Sequence, residues 1–504
     1  MPCERLMGAR RHEQAQCRRT VTRLACVNPR GLLSALVAMG QSVTSRSHDA
    51  SSSGSGANWV LAMVITTTGL SGLALSIMIV AFPAIRADFP NASVAQLSWI
   101  NNLFTIVSAA VIVPCGVLAD RMGRKRMLLA GAALFTVGSV VGALAPSPTW
   151  IMVGRTIMAL GAASFGPAGM ALLVSVFPLE RLVFAISIWS ISGGIASSLG
   201  PSVGGVLIDH LGWRWAFWIN LPLCAITLAF GPFVLRETAR DRTKRLPDLV
   251  GAALVMAATS AVTFAVVQRK TEAGWGWLGA KTLGCVAVGV VIGVAFVMRC
   301  QRSATPLVQL DLLRSRRVTI GAFGMFIQNL GFFAVYWALV QHTVNEWHWS
   351  AARAGAASIP VSLVSGMVAF ATSRKADRVG PRPFVLAGAI GQIFAFAFLW
   401  FAIGDTESLL AVVVGATLLG ATSGLAVPTL ASLTLRGMPA DQHAFGSALN
   451  SMAQRIGSTF GTALAITFIA SEVGIASLRH TLVAGVVAVA VMIPLGLRAG
   501  APTA

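Results

Sequence analysis

Acidic residues are scarce in this chain and none stands in the middle of a long apolar stretch. Its 18 Asp and Glu among 504 residues fall in the N-terminal region, between apolar runs, or close to the ends of runs. Charged residues of both signs reach only 11%, against about a quarter in soluble domains. That deficit, with a hydrophobic share of 55% and a mean hydropathy of +0.75, excludes an ordinary water-soluble globule and predicts a polytopic membrane protein. Tyr336 is the only tyrosine. Seven cysteines show neither CxxC nor Cys/His spacing, which argues against a disulfide framework or a zinc site. The phosphate-binding pattern Gly-x-x-x-x-Gly-Lys-Ser/Thr does not occur, so an ATP-driven pump would need another subunit. His342, Glu346 and His348 are too loosely spaced for a metal clamp, and Trp347 and Trp349 among them read as an interfacial belt. With no nucleophile–base pairing to assemble from the sparse polar residues, the reading is not an enzyme, with no cofactor and no metal.

What is abundant is positive charge, +20 net, and its placement excludes nucleic acid as the reason for it. Fourteen apolar runs, each long enough for about 30 Å of hydrocarbon, divide the chain from residue 59 to residue 497. Of the 38 Lys and Arg, 29 lie in the N-terminal region and the alternate connections on its side, 7 lie on the other side, and Arg155 and Arg455 fall inside runs. This is the positive-inside pattern, with both termini cytoplasmic and the chain in the cell membrane. Strand-length alternation is lacking, so a barrel is excluded. The expected fold is all-α.

The most informative stretch is Gly116 to Arg126, Gly-Val-Leu-Ala-Asp-Arg-Met-Gly-Arg-Lys-Arg, between the second and third runs. It is expected to form a tight turn in which Gly116 allows close helix approach and Gly123 a positive φ. Asp120 would meet a helix N-terminus, while Arg121, Arg124 and Lys125 hold the cytoplasmic side. Position for position the stretch resembles the signature loop of the major facilitator superfamily. A degenerate copy follows the tenth run, where Asp377, Arg378 and Gly380 keep the Asp-x-x-Gly spacing. In the fifth run Gly200, Pro201, Gly204 and Gly205 resemble the antiporter motif. Trp213 to Pro222 resembles the group's sixth-helix entry, with tryptophans anchored at the interface. Asn450 to Gly461 resembles the penultimate helix, with Gly457 and Gly461 as a close-packing pair.

The resemblance implies a major facilitator fold of the fourteen-span drug:proton antiporter group. Two six-helix bundles, 58–236 and 317–504, would flank a charged linker with two inserted helices, 237–316. Residues 1–57 read as a disordered or non-native tail ending in a flexible Ser/Gly tract, Ser51 to Gly56. The implied activity is export of small amphipathic molecules by alternating access, with protons as the coupling ion, by a monomer in the lipid bilayer. The alternatives are a uniporter or importer of a metabolite, or a transporter-derived sensor or scaffold.

Candidates for the cavity are Arg155, Asn450, Gln454, Arg455, Asn101 and Gln328. A buried arginine costs about 2.5–3.5 kcal/mol on insertion scales and so reads as functional. Asn450 and Gln454, one helical turn apart, share a face that is expected to line the cavity. The family's first-helix acid falls on Ala74, at the depth of Arg155 to within roughly 3 Å by helical rise. Arg155 is therefore expected to take a substrate or lipid anion, or a polar neighbour such as Ser76. Export should then favour neutral or anionic amphiphiles over dications.

Overall fold

The computed structural model describes residues 29–177, 179–237, 247–268, 275–276, 279–303, 306–404, 406–438, 442–471 and 474–499. The chain separates into two units, Met1–Trp59 and Val60–Ala504. In the first, residues 29–59 have helical backbone, in place of the flexible tract expected at Ser51 to Gly56. Once nucleated, a helix gains one hydrogen bond per residue fixed, which carries it through weak helix formers.

In the second unit every described element of secondary structure is a helix. Its long helices are α1 (Gly56–Asp88), α2 (Val94–Met122), α3 (Arg124–Ala143) and α4 (Pro148–Val176). Next come α5 (Leu179–Leu211), α6 (Trp215–Val234), α7 (Leu249–Val267) and α8 (Ala280–Arg302). Then follow α9 (Arg316–Asn345), α10 (Ala351–Ala357 continuing as Ile359–Val379) and α11 (Arg382–Ala402). The chain closes with α12 (Leu409–Arg436), α13 (His443–Ser471) and α14 (Ile475–Arg498). Among the described residues 12 helices are long and apolar enough to cross a membrane. Two more, α5 and α13, are 33 and 29 residues long and include residues whose side chains lie outside those described.

Helix boundaries follow local chemistry. Ser93, Ser350 and Ser408 accept from the backbone N–H three residues on, at 3.0, 3.2 and 3.2 Å, satisfying donors that the first helical turn leaves free. Asp248 does the same for Gly251 and also receives Arg299 Nη2 at 3.1 Å, tying the start of α7 to the end of α8.

Packing repeats between the two sets of six helices. In the first, α4 packs on α2 and α3, α3 packs on α6, and α1 meets α5 through Gly200 and Gly204. In the second, α12 packs on α10 and α11, α11 on α14, and α9 on α13. The α9–α13 contact is glycine-mediated: a Cβ at Gly457 or Gly461 would meet the carbonyls of Phe326 and Leu330. The two sets touch along two seams, α2 on α13 and α5 on α10. The α7–α8 pair lies outside the repeat; α7 packs on both α2 and α13, and α8 on α7.

Candidate functional site

The Gly116 to Arg126 stretch is not a loop of that length. Gly116 through Met122 belong to α2, and α3 begins at Arg124, so the reversal is made at Gly123 alone, with φ +104°. A side chain is strained at that φ. Gly116 would accept a methyl, with Pro167 Cβ at 3.6 Å, so it makes an ordinary contact instead of an obligatory close approach. Asp120 Oδ1 pairs with Arg124 Nη2 at 3.7 Å, one helical turn on. Arg124 Nη1 donates to the Ala171 carbonyl on α4 at 2.8 Å, and Lys125 donates to the Pro232 carbonyl on α6. Arg126 pairs with Glu237 at 3.6 Å. Arg121 is half-buried in the last turn of α2. The turn is thus bolted to the ends of α4 and α6. Gly380, φ +93°, breaks α10 from α11 in the same way. The side chains of Asp377 and Arg378 lie outside the described residues. The end of the bundle that carries both glycine turns is called the basic end below.

At the opposite end the α5–α10 seam is closed by backbone contact. A Cβ at Gly205 would strike the carbonyl of Ala351, and one at Gly355 would strike that of Pro201. Ser202 Oγ donates to the Gly355 carbonyl at 2.9 Å. Asp209, near the end of α5, accepts from Ala351 N at 3.1 Å and from Ala352 N at 2.8 Å, so it caps α10 across the seam. Gly200 and Gly204 face Ser76 and Ile77 of α1. The antiporter-like residues therefore divide their contacts between α1 and α10.

At that same end two clasps of like composition appear. Trp213 Nε1 donates to Asp88 at 2.7 Å, and Arg214 pairs with the same oxygen at 3.4 Å while stacking on the Trp213 ring at 4.4 Å. Trp349 Nε1 donates to Glu407 at 2.8 Å, and Arg353 pairs at 3.0 Å while stacking on Trp349 at 4.2 Å. Trp213 and Trp349 are buried in these clasps, where an interfacial position was expected. A carboxylate within reach of the indole N–H draws the ring inward.

Arg155 is completely buried. Its Nη1 donates to the Ala74 carbonyl at 2.8 Å and its Nε to the Ile100 carbonyl at 3.1 Å, and its guanidinium lies over the Phe104 ring at 4.1 Å. The depth match with Ala74 is thus a direct contact. The expected polar neighbour Ser76 is not the partner: its hydroxyl donates to Gly72 and Leu73 on its own helix. A carbonyl has two lone pairs, so main-chain oxygens can serve the guanidinium without breaking their helix. Arg155 Nη2 has no hydrogen-bond partner among the described residues.

Arg455 stands on the α2–α13 seam. Its Nη1 donates to Ser108 Oγ on α2 at 2.7 Å and its Nη2 to Ser71 Oγ on α1 at 3.3 Å. Thr459 Oγ1 donates to Thr105 Oγ1 across the same seam at 2.6 Å. Beyond these bonds runs a crevice too narrow for a water molecule, lined by Leu75, Asn101 and Thr105 on one side and by Phe333, Trp337 and Ser458 on the other. Asn101 Oδ1 and Trp337 Nε1 are buried there without hydrogen-bond partners among the described residues.

Asn450 does not line this crevice. Its side chain accepts from Thr434 Oγ1 at 2.8 Å and donates to the Ala431 carbonyl at 3.4 Å, joining α13 to α12. It shares a helix with Arg455 but, five residues earlier, points to a different neighbour. Gln454 is half-buried. Gln328 is wholly buried in α9 with neither amide atom bonded among the described residues.

Comparison with known proteins decides the family. The model of the Major Facilitator Superfamily matches residues 64–462 and, in a second match, 321–503. The chain belongs to the Major Facilitator Superfamily. Among similar superfamily members, Multidrug resistance protein Stp of Mycobacterium tuberculosis is 30% identical over 413 residues, 80% of this chain and 75% of that protein. Multidrug efflux pump LfrA of Mycolicibacterium smegmatis is 30% identical, covering 80% of this chain and 79% of its own. The Tetracenomycin C resistance and export protein of Streptomyces glaucescens is 28% identical, covering 82% and 76%. Of solved structures, the human organic anion transporter MFSD10 superposes with a TM-score of 0.59 at 17% identity, over 87% of this chain and 99% of that one. The POT family transporter PepTSo gives 0.61 at 14%, over 87% and 98%. The superfamily fold and a multi-pass membrane protein related to drug efflux pumps are therefore shown.

Several residues that the fold makes prominent carry no signal in the superfamily motifs. Ser71 and Ser108 hold Arg455, Asp209 caps α10, and Gln392 is fully buried on α11 with neither amide atom bonded among the described residues. A buried amide on a membrane-length run could have flagged Gln392. The serines carry no such mark, since small hydroxyls are frequent in tightly packed membrane helices.

Proposed function

We propose that this protein exports amphipathic, drug-like molecules across the cytoplasmic membrane by alternating access. The observation that carries the reading is the pair of seams between two repeated six-helix sets. One seam is closed by glycine contact at the end opposite the basic turns, and the other carries the Arg455–Ser108 bond and, beyond it, a polar crevice lined by Asn101, Thr105, Ser458 and Trp337. Rocking about such seams exposes a midplane cavity to either side in turn. The names of the bacterial relatives, multidrug resistance and efflux proteins, support drug-like solutes as cargo. Protons as counter-ion follow from the resemblance to the drug:proton antiporter group. The reading includes fourteen spans (α5 and α13 with the other twelve), both termini on the cytoplasmic side, and a monomer as the working unit.

The test is efflux from proteoliposomes under an imposed pH gradient, with aromatic dyes of differing charge. Purified protein should accelerate dye movement several-fold over empty vesicles, and collapse of the gradient should remove the acceleration. Equal rates in loaded and empty vesicles for every dye would reject the export reading.

A further inference from the structure

The two arginines inside the long apolar runs both address one short piece of α1. Arg155 takes the carbonyl of Ala74 and Arg455 the hydroxyl of Ser71, three residues earlier on the same helix. No carboxylate pairs with either guanidinium among the described residues. The two arginines are not equivalent. Arg155 is wholly buried, backed by a phenyl ring and held by two main-chain carbonyls that belong to the same half of the molecule. Arg455 is only partly buried, and its two acceptors are neutral serine hydroxyls of the other half, so its bonds exist only while the α2–α13 seam is closed.

We infer that Arg455 is an anion-recognition group, and that the exporter's preferred cargo is an amphiphile with one anionic group and an aromatic body. The inference rests on the export reading and specifies its cargo. The residues in register along the seam define the shape. From Arg455, Ser458 and Thr462 continue the same face of α13 for about 10 Å of helix, and both line the crevice, with Phe333 and Trp337 of α9 beside them and Leu75, Asn101 and Thr105 opposite. Once the seam parts, a carboxylate or sulfonate at Arg455 would place an attached ring system against those aromatics, in a crevice that is closed to water in this structure. Asn101 Oδ1 and Trp337 Nε1, buried without partners among the described residues, are an acceptor and a donor in the same crevice for polar atoms on that body.

The chemistry also links binding to opening. A guanidinium–carboxylate pair is bidentate and joins opposite full charges, whereas each serine hydroxyl is a neutral acceptor that takes a single N–H. An anion arriving at Arg455 therefore outcompetes Ser71 and Ser108, which releases two of the bonds that close the seam. A cation gains nothing there and is repelled.

The test varies charge on the ligand and on the protein. A matched set of one aromatic dye as carboxylate, methyl ester and primary amine is titrated into detergent-purified protein, reading tryptophan quenching. In the wild type the carboxylate should bind at least tenfold tighter than the amine. Arg455→Gln should bring that ratio close to one, and Arg455→Lys, which keeps the charge but not the fork, should restore most of it. A wild-type ratio near one, no binding of any member, or a ratio unchanged in Arg455→Gln would overturn the inference. If Arg455→Gln does not fold, loss of preference on adding salt to the wild type decides the same point, and a salt-insensitive ratio overturns it. The same set in the vesicle assay separates the two claims: dye movement without charge preference sinks the anion site alone, whereas preferential binding without movement sinks the export reading alone.

Discussion

Replacing Asp209 with alanine should loosen the α5–α10 seam without unfolding either half. The carboxylate supplies both acceptors for the first backbone donors of α10, at 3.1 and 2.8 Å, and no other side chain bonds those two groups among the described residues. Loss of an N-cap side chain costs about 0.5–2 kcal/mol. Asp209 is exposed, so water will take over part of the role, and the middle of that range applies. A change of about 1 kcal/mol alters a two-state ratio by about fivefold. The closed form at this end should therefore lose population to the open one by about that factor, with Asp209→Asn intermediate because it keeps one acceptor but no charge. Spin labels at the exposed positions Leu211 and Leu410, in a background without native cysteines, report the separation across this end. The long-distance population should grow in Asp209→Ala. Distance distributions identical to those of the unsubstituted protein would refute the role given to the cross-seam cap.

Asp120→Asn should insert and express normally yet slow efflux, since the i,i+4 pair with Arg124 steadies the basic-end turn by about 0.3–0.5 kcal/mol; normal efflux at normal surface level would remove the turn from the cycle. Arg155→Ala should abolish export while its membrane level holds or rises, because an intramembrane guanidinium is costly to insert; efflux and quantified surface protein read both effects. Glu407 is held below the ordinary carboxylate range chiefly by the Trp349 indole N–H, with Arg353 adding to it. A lowered folded value means that the clasp's contribution is fully present above the unfolded carboxylate value, about 4.3, and fades as pH falls through the lower folded one. Fluorescence assigned to Trp349 by difference from Trp349→Phe should stay constant down to the ordinary carboxylate range and change only below it, and Glu407→Gln should abolish that change.

What could be read from the chain was whatever the membrane and the helix constrain one segment at a time. Span order follows from apolar length, and the Asp-x-x-Gly spacing marked both helix breaks, since a reversal at a single residue demands a positive φ at Gly123 and Gly380. Helical rise alone brought Ala74 and Arg155 to one depth, and they touch. What stayed hidden depends on which neighbour each face meets. Periodicity puts Asn450 on a face with Gln454 but says nothing of Thr434 on α12, its actual partner. Asp209 reads as a carboxylate near a span end until α10, 142 residues later, is laid against it. Ser108 and Arg455 are 347 residues apart, and no local signal links a serine to a distant guanidinium. The turn was expected to be longer because its charged residues look like loop; they are helical because their side chains reach carbonyls and a carboxylate at the ends of neighbouring segments.

The position of α7 has a consequence for how a fat-soluble compound reaches the interior. Thr467 on α13 donates to the Val266 carbonyl at 2.8 Å, and Ala95, Val267 and Ala463 pack together, so α7 lies over the line where α2 meets α13. Beyond α7 lies α8, whose outer surface carries Val290, Val291 and Val294. A solute dissolved in the bilayer is thus shielded from one of the two grooves between the halves. Among the described residues no helix lies over the α5–α10 seam in that way, and a side chain at Gly355, which would strike the Pro201 carbonyl, should part the halves on that flank.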